Sequence, residues 1–383
     1  MVARLEEFQE TIFATMSALA QEYGAVNLGQ GFPDEDGPEA MLAKAQDEIA
    51  GGNNQYAPGP GMVELREAIA AHQRRYGITV SPDQVLVTVD ATEAISASVM
   101  GLVEPGKEVI VIEPFYDAYA AAIALAGAKR VAVPLRASGS SWDVDVNAIE
   151  QAIGPDTAMI IINNPHNPTG SVISEASMLR LAQVLQGTDI VVLSDEVYEH
   201  LLFDDQRHRP TCTYPGMAER TITVSSAAKT FNATGWKTGW AIAPPALLRQ
   251  IRQAKQYLTY VGASCLQPAV AYALEEEMPW VEALADGLER KRTLLADALV
   301  AAGFEVHTCP GTYYLVADFS DLSDMGGREF CEFLVKEHGV AAIPIEVFCD
   351  HPKGWEHKIR FAFCKKDAVI EEAARRLAAI KTA

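Results

Sequence analysis

Lys229 and Asp195 are the two residues of this 383-residue chain whose settings most suggest chemistry. Lys229 lies in SSAAKTFNATGWKTGW (225–240), directly after TITVS (221–225), a stretch that reads as a buried strand. Lysines are mostly solvated surface charges, and at an ordinary pKa of about 10.4 the amine is protonated and inert as a nucleophile. A reactive lysine therefore needs a site that favours its neutral form. Asp195 follows DIVVLS (189–194) in SDEVYEH. Adjacent Asp195 and Glu196 point to opposite faces of extended chain, so one carboxylate must act alone. Its bland alternative is a cap on the next turn. His200 in the same motif is a metal ligand on paper, but no second ligand stands at a convincing spacing, and no metal is expected.

The elements that must position these groups are short and β-branched: QVLVTV (84–89), EVIVIE (108–113), RVAVPL (130–135), AMIIIN (158–163), DIVVLS (189–194) and TITVS (221–225). They alternate with Ala-rich helical stretches. Near-continuous apolar runs suit strands buried on both faces, which predicts an α/β fold with a mainly parallel sheet covered by helices. Ligands of such sheets bind beyond the carboxyl ends of the strands. Ala91-Thr92, Asn167, Asp195 and Lys229 all follow such ends, so their convergence is expected. DATEAI (90–95) opens a helix whose first N–H groups can be capped by Thr92 or cradle a phosphate. NNPHNPTG (163–170) taken alone is a strand-to-helix connection. Neither a dinucleotide-binding nor a P-loop fingerprint is present. Three regions are expected: an arm (1–32) belonging to a small domain, a large domain (33–275), and the rest of the small domain (276–383), which contains the helical VEALADGLERKRTLLADALVAAG and the strand-like GTYYLVAD and KIRFAFC.

With 49% hydrophobic residues the chain can bury a large core, and its net charge of −20 argues against nucleic acid or an anionic membrane as partner. The six cysteines form no C-x-x-C pair and read as reduced thiols of a cytoplasmic protein. MVARLEEFQE has neither the basic n-region nor the apolar h-region of a signal peptide.

HNPTG, DEVY, S-x-x-K-x-F, G-W-K-x-G and a late R-F-x-F occur in an order that resembles the class I aminotransferases of pyridoxal-phosphate fold type I. NLGQGFPD, NQYAPGPG and EPFYDAY are similar to the kynurenine/glutamine aminotransferase branch, within which the resemblance is nearest to bacterial N-succinyldiaminopimelate aminotransferases. The resemblance spans nearly the whole chain and implies a mainly parallel sheet of the seven-stranded type in the large domain, plus a smaller α/β domain. It implies pyridoxal 5′-phosphate as cofactor, carried covalently on Lys229, with room for its ring beside Ala227 and Ala228. Asp195 would face the ring nitrogen, Tyr198 and Asn167 the ring oxygen, and Tyr116 the ring face. Ser226, Lys237 and the N–H groups of Ala91 and Thr92 would hold the phosphate. Arg360, Gly31 and Asn167 would meet the substrate carboxylate. Tyr56 would reach the phosphate of a neighbouring subunit in a homodimer with shared sites. Two departures stand out. Lys237 replaces an arginine common in relatives, and Asp90 occupies a place that is usually glycine.

The implied reaction moves an amino group from an amino acid to a 2-oxo acid, with glutamate and 2-oxoglutarate as one pair. N-succinyldiaminopimelate is the first expectation for the other substrate, within lysine biosynthesis. The alternatives are a kynurenine, glutamine or methionine aminotransferase with β-elimination of cysteine conjugates on the side, or a regulator that kept the fold. Regulators of that kind usually append a basic DNA-binding domain, for which the arm has no room. Lys255 and Arg4 are cations that the sequence places nowhere.

Overall fold

The computed structural model describes residues 2–8 and 11–380. The expected runs become strands β1 (Val85–Val89), β2 (Glu108–Glu113), β3 (Lys129–Pro134), β4 (Thr157–Asn163), β5 (Val191–Asp195) and β6 (Thr221–Ser226). The seventh strand, β7 (Thr238–Ile242), completes the seven-stranded sheet that the family resemblance implies, but it was not among the runs read from the sequence. Its TGWAI follows a short turn through Gly235, Trp236 and Lys237 and is too brief to show a periodicity of its own, yet all five residues are buried. The sheet order is β1-β7-β6-β5-β4-β2-β3, and only β7 runs against the others.

That reversal matters for the site. β7 starts where β1 and β6 end, pairing Thr238 with Val89 and Gly239 with Ser226. Lys237, one residue earlier, is thereby delivered to the carboxyl edge of a parallel array. Close packing demands Gly239 here: a Cβ on it would lie 2.5 Å from the carbonyl carbon of Asp90. Helices cover the sheet, and the one spanning Asp90–Leu102 packs on both Asp117–Leu125 and Pro245–Lys255.

The remainder of the chain builds a second, antiparallel sheet from β8 (Glu305–Val306), β9 (Tyr314–Asp318), β10 (Ile343–Pro344) and β11 (Lys358–Ala362), in the order β8-β9-β11-β10. The long helix Met278–Ala301 packs against the helix Asp367–Leu377. The early segment joins this part of the molecule. Val26 and Asn27 pair with Val340 and Ala341, and the Ala362 N–H donates to the Leu28 carbonyl at 2.7 Å. The tether brings Gly29–Phe32 alongside Arg360, which sits in β11 between Val316 and Ile343.

Among the described residues no helix is long and apolar enough to cross a membrane.

Candidate active site

Strand ends define the cavity. Asp90-Ala91-Thr92 follow β1, Tyr116 follows β2, Asn167 follows β4, Asp195 closes β5, and Lys229 stands in the helical turn Ala227–Thr230 after β6. A cavity of about 250 Å³ opens at this edge, and Gly31, Ala91, Thr92, Tyr116, Asn167, Asp195, Tyr198, Ser226, Lys229 and Arg360 all line it. These residues span more than three hundred positions of sequence. Lys237 and Tyr56 lie outside this lining. Lys237 is just beyond Asp90, with Nζ 2.6 Å from its Oδ2. Tyr56 is 81% exposed and meets Tyr260 edge to face at 5.5 Å.

Asp195 is buried, and burial, which penalises an anion, pushes its carboxyl up to about 6. Tyr119 opposes that shift by donating from its hydroxyl to Oδ2 at 2.6 Å, and the Val197 N–H donates to Oδ1 at 3.3 Å. Asp195 is thus an isolated acid prepared to ionise beside a cation. The Asn163 side chain fixes the strand ends: Nδ2 donates to the Asp195 carbonyl at 2.9 Å, and Oδ1 accepts from the Asn167 N–H at 2.6 Å. Tyr198, Tyr313 and Tyr314 cluster above, with the Tyr198 and Tyr314 hydroxyls 3.4 Å apart. Burial raises the Tyr198 hydroxyl far above its usual range, so it serves as a neutral donor.

Arg360 is 1% exposed. Nη1 donates to Asn167 Oδ1 at 2.9 Å and Nη2 to the Gly29 carbonyl at 3.1 Å, while Nε has no partner. Its guanidinium lies 4.0 Å from the Tyr314 ring centre, with Phe13 and Phe348 at 5.3 and 5.6 Å. A guanidinium stays charged, and no carboxylate pairs with this one among the described ion pairs. Gly31 closes the same wall. A Cβ there would lie 1.9 Å from Tyr314 Oη, so only glycine admits the tyrosine.

Ser226 Oγ is likewise buried and unpartnered while lining the cavity. Beside it the helix Asp90–Leu102 begins, and the N–H groups of its first turn have no intrahelical acceptor. An orphan hydroxyl at a helix N-terminus, with an ammonium nearby, suits a phosphate. At the other end of the cavity an amine, a buried acid and neutral hydroxyl donors suit a cationic pyridine ring bearing an oxygen and an aldehyde. The residues present therefore fit pyridoxal phosphate.

Tyr119, Asn163, Tyr314 and Phe13 were not foreseen as site residues. Tyr119 had a signal, three positions after Tyr116 in EPFYDAY, because i and i+3 share a helix face. Asn163 had one too, as the last residue of the run AMIIIN, whereas Tyr314 and Phe13 had none.

Two readings need correction. His200 does have further potential ligands: its Nε2 is 3.1 Å from His72 Nε2 and 3.9 Å from Glu199 Oε1, groups brought together by folding and hidden from any spacing rule. The exposed Arg75 guanidinium, 3.3 Å from His72 Nε2 and 3.4 Å from His200 Nδ1, sets a positive charge against a metal there. Thr92 makes no cap, since the helix Asp90–Leu102 has no side-chain N-cap bond. Lys255, which the sequence placed nowhere, is 1% exposed and donates to the backbone carbonyls of Gly59 and Tyr260.

Residues 23–377 match the family model for aminotransferase classes I and II. The chain is 54% identical to a probable N-succinyldiaminopimelate aminotransferase of Mycobacterium tuberculosis, covering 99% of this chain and 98% of that one. It is 42% identical to a methionine aminotransferase of Escherichia coli, over 98% and 97% of the two chains. The solved structure of the M. tuberculosis N-succinyldiaminopimelate aminotransferase superposes with a TM-score of 0.97, covering 100% of both chains at 54% identity. Fold, full-length likeness and the ordered strand-end residues agree: the chain belongs to the class I and II aminotransferases.

Proposed function

We propose that this aminotransferase uses pyridoxal 5′-phosphate and exchanges an amino group between N-succinyldiaminopimelate and the glutamate/2-oxoglutarate pair. The observation that carries the cofactor assignment is the meeting of Lys229, Asp195 and the orphan Ser226 hydroxyl in one cavity. The substrate assignment rests on the 54% full-length identity to the mycobacterial relative.

Bound here, the cofactor would supply an electron sink for the carbanion left at substrate Cα. The protein's own groups do the rest. Lys229 would hold the cofactor covalently and would move the proton from substrate Cα. Asp195 would keep the ring nitrogen protonated. Tyr198 and Asn167 would hold the ring oxygen, and Tyr116 would meet the ring. Ser226, Lys237 and the N–H groups of Ala91 and Thr92 would take the phosphate. Arg360 clamps the substrate carboxylate, with Asn167 and the backbone at Gly31 beside it. The same reading divides the chain into a large domain (33–275) carrying the cofactor groups and a small one (1–32 with 276–383) carrying Gly31 and Arg360, so substrate is held between them.

We assign Tyr56 to the phosphate of a partner subunit. Its exposure, with Tyr257 at 85% and Tyr260 at 46%, leaves an aromatic patch unusual for a free surface, which supports a homodimer with shared sites. An unattached soluble dimer in the cytoplasm is the setting this implies.

Substrate choice is tested by turnover of N-succinyldiaminopimelate, kynurenine, glutamine and methionine with 2-oxoglutarate. We expect the highest kcat/KM with the succinyl compound. Faster turnover of methionine would favour the second reading, to which the 42% identical relative points.

Asp195 offers a pH test. Removing the Tyr119 hydroxyl (Y119F) deletes a bond that stabilises the anion, so protonation of Asp195 sets in at higher pH. Activity requires the anion and is lost as pH falls through its pKa. The acid limb of the kcat profile should therefore move to higher pH, with activity on that limb reduced on the order of 10-fold. An unmoved limb would show that Tyr119 only fills space.

A further inference from the structure

Asp90 and Lys237 form a pair with a peculiar geometry. Both are non-glycine residues in the left-handed region, at φ 63° and 52°. They clasp each other twice: the Asp90 N–H donates to the Lys237 carbonyl at 2.9 Å, and Lys237 Nζ donates to Asp90 Oδ2 at 2.6 Å. Aspartate tolerates this backbone better than most residues, and lysine does not. The turn cannot easily relax, because Gly239 packs against the backbone of Asp90 and Ala91 with no space for a Cβ.

The Asp90 side chain is 16% exposed and that of Lys237 46% exposed. Asp90 lines the cavity beside Ala91, Thr92 and the unpartnered Ser226 hydroxyl, whereas Lys237 is not part of that lining. A carboxylate of the lining therefore already holds the Lys237 ammonium. Its field reaches the cavity: Asp90 is among the lesser causes that raise the Tyr116 hydroxyl and the Asp195 carboxyl.

We propose that Asp90 is a latch on Lys237: it competes with the cofactor phosphate for that ammonium, so the chain holds the cofactor less tightly than the same cradle would without the carboxylate. The inference rests on the assignment of this cradle to the phosphate. An ammonium has three donors and can touch two anions, but only by bringing them close together, where like charges repel. The phosphate gains Lys237 only as Asp90 gives it up. Cofactor occupancy would then follow cofactor supply, a property set by one side chain outside the reaction itself.

The test uses Asp90→Asn, which keeps the shape and the left-handed backbone preference and removes the charge. The holoenzyme is dialysed, and cofactor loss is followed by absorbance. Apoenzyme is titrated with pyridoxal phosphate and, separately, warmed with inorganic phosphate to follow the unfolding midpoint. The latch requires cofactor affinity to rise by roughly tenfold, slower loss on dialysis, and a larger phosphate-induced midpoint shift in Asp90→Asn. It also requires Lys237→Met to cost more affinity in the Asp90→Asn background than alone. Equal or weaker cofactor binding in Asp90→Asn, or an equal cost of Lys237→Met in both backgrounds, overturns it. If the unaltered chain binds no pyridoxal phosphate, the cradle assignment itself fails, an outcome distinct from failure of the latch.

Discussion

Lys229→Ala is expected to abolish transamination, lowering kcat by about 10⁴-fold or more, because in the proposed function one amine serves as covalent anchor and as proton carrier. Two independent losses at one atom explain the size. The anchor would hold the cofactor in register with Arg360 and Asp195, and the freed amine would be the basic group for the Cα proton. Cofactor binding need not vanish, since the phosphate cradle and Asp195 remain. The unaltered protein should be yellow, and borohydride should fix the cofactor to the peptide containing residue 229. Stability should change little, for Lys229 is only half-buried and its ammonium stands 5.9 Å from the Tyr313 ring centre. Full turnover in Lys229→Ala, or an adduct on another lysine, would end the mechanistic reading.

Arg360→Met is expected to act in opposite directions on activity and on stability. Without substrate the guanidinium is a buried cation facing neutral acceptors and aromatic faces, with Nε unsatisfied. A buried charge with no ion-pair partner among the described residues costs stability, so its replacement by an apolar side chain of similar length should raise the unfolding midpoint of the apoenzyme. The substrate carboxylate, however, loses a buried charged partner worth about 2–5 kcal/mol, and kcat/KM should fall by roughly 30- to 5,000-fold. The fall should appear mainly in KM, because the carboxylate is gripped in ground and transition states alike. Thermal unfolding and steady-state kinetics on one preparation decide the matter. A less stable apoenzyme, or an unchanged KM, would show that Arg360 is a structural residue of its sheet.

The local patterns carried a great deal. Six of the seven large-sheet strands were visible as β-branched runs because a strand buried on both faces must be apolar throughout. β7 was missed for a related reason: five residues after a turn of glycine, tryptophan and lysine offer no repeating pattern, and their strand character comes from the two neighbours they pair with. The carboxyl-edge rule then placed Asn167, Asp195 and Lys229 near one another before any coordinates existed. It had no means of placing Arg360, which enters from the second sheet. It also had no means of finding His72 beside His200, since their closeness depends on how a helix end meets the loop after β5.

Asp90 shows the division most clearly. Read along the chain it was an acid at an awkward place next to a phosphate site, and Lys237 was a separate oddity 147 residues away. Folding makes them a single feature, because the one reversed strand returns Lys237 to the end of β1. Residue order by itself determined six of the large-sheet strands and the family, and singled out Lys229 as the candidate amine, since those depend on local apolarity and on side-chain type. Which charges neutralise one another, which polar atoms stay unpaired, and which tyrosine steadies Asp195 were decided only by the tertiary structure. Such contacts vary over distances of a few ångströms between segments that the sequence keeps far apart.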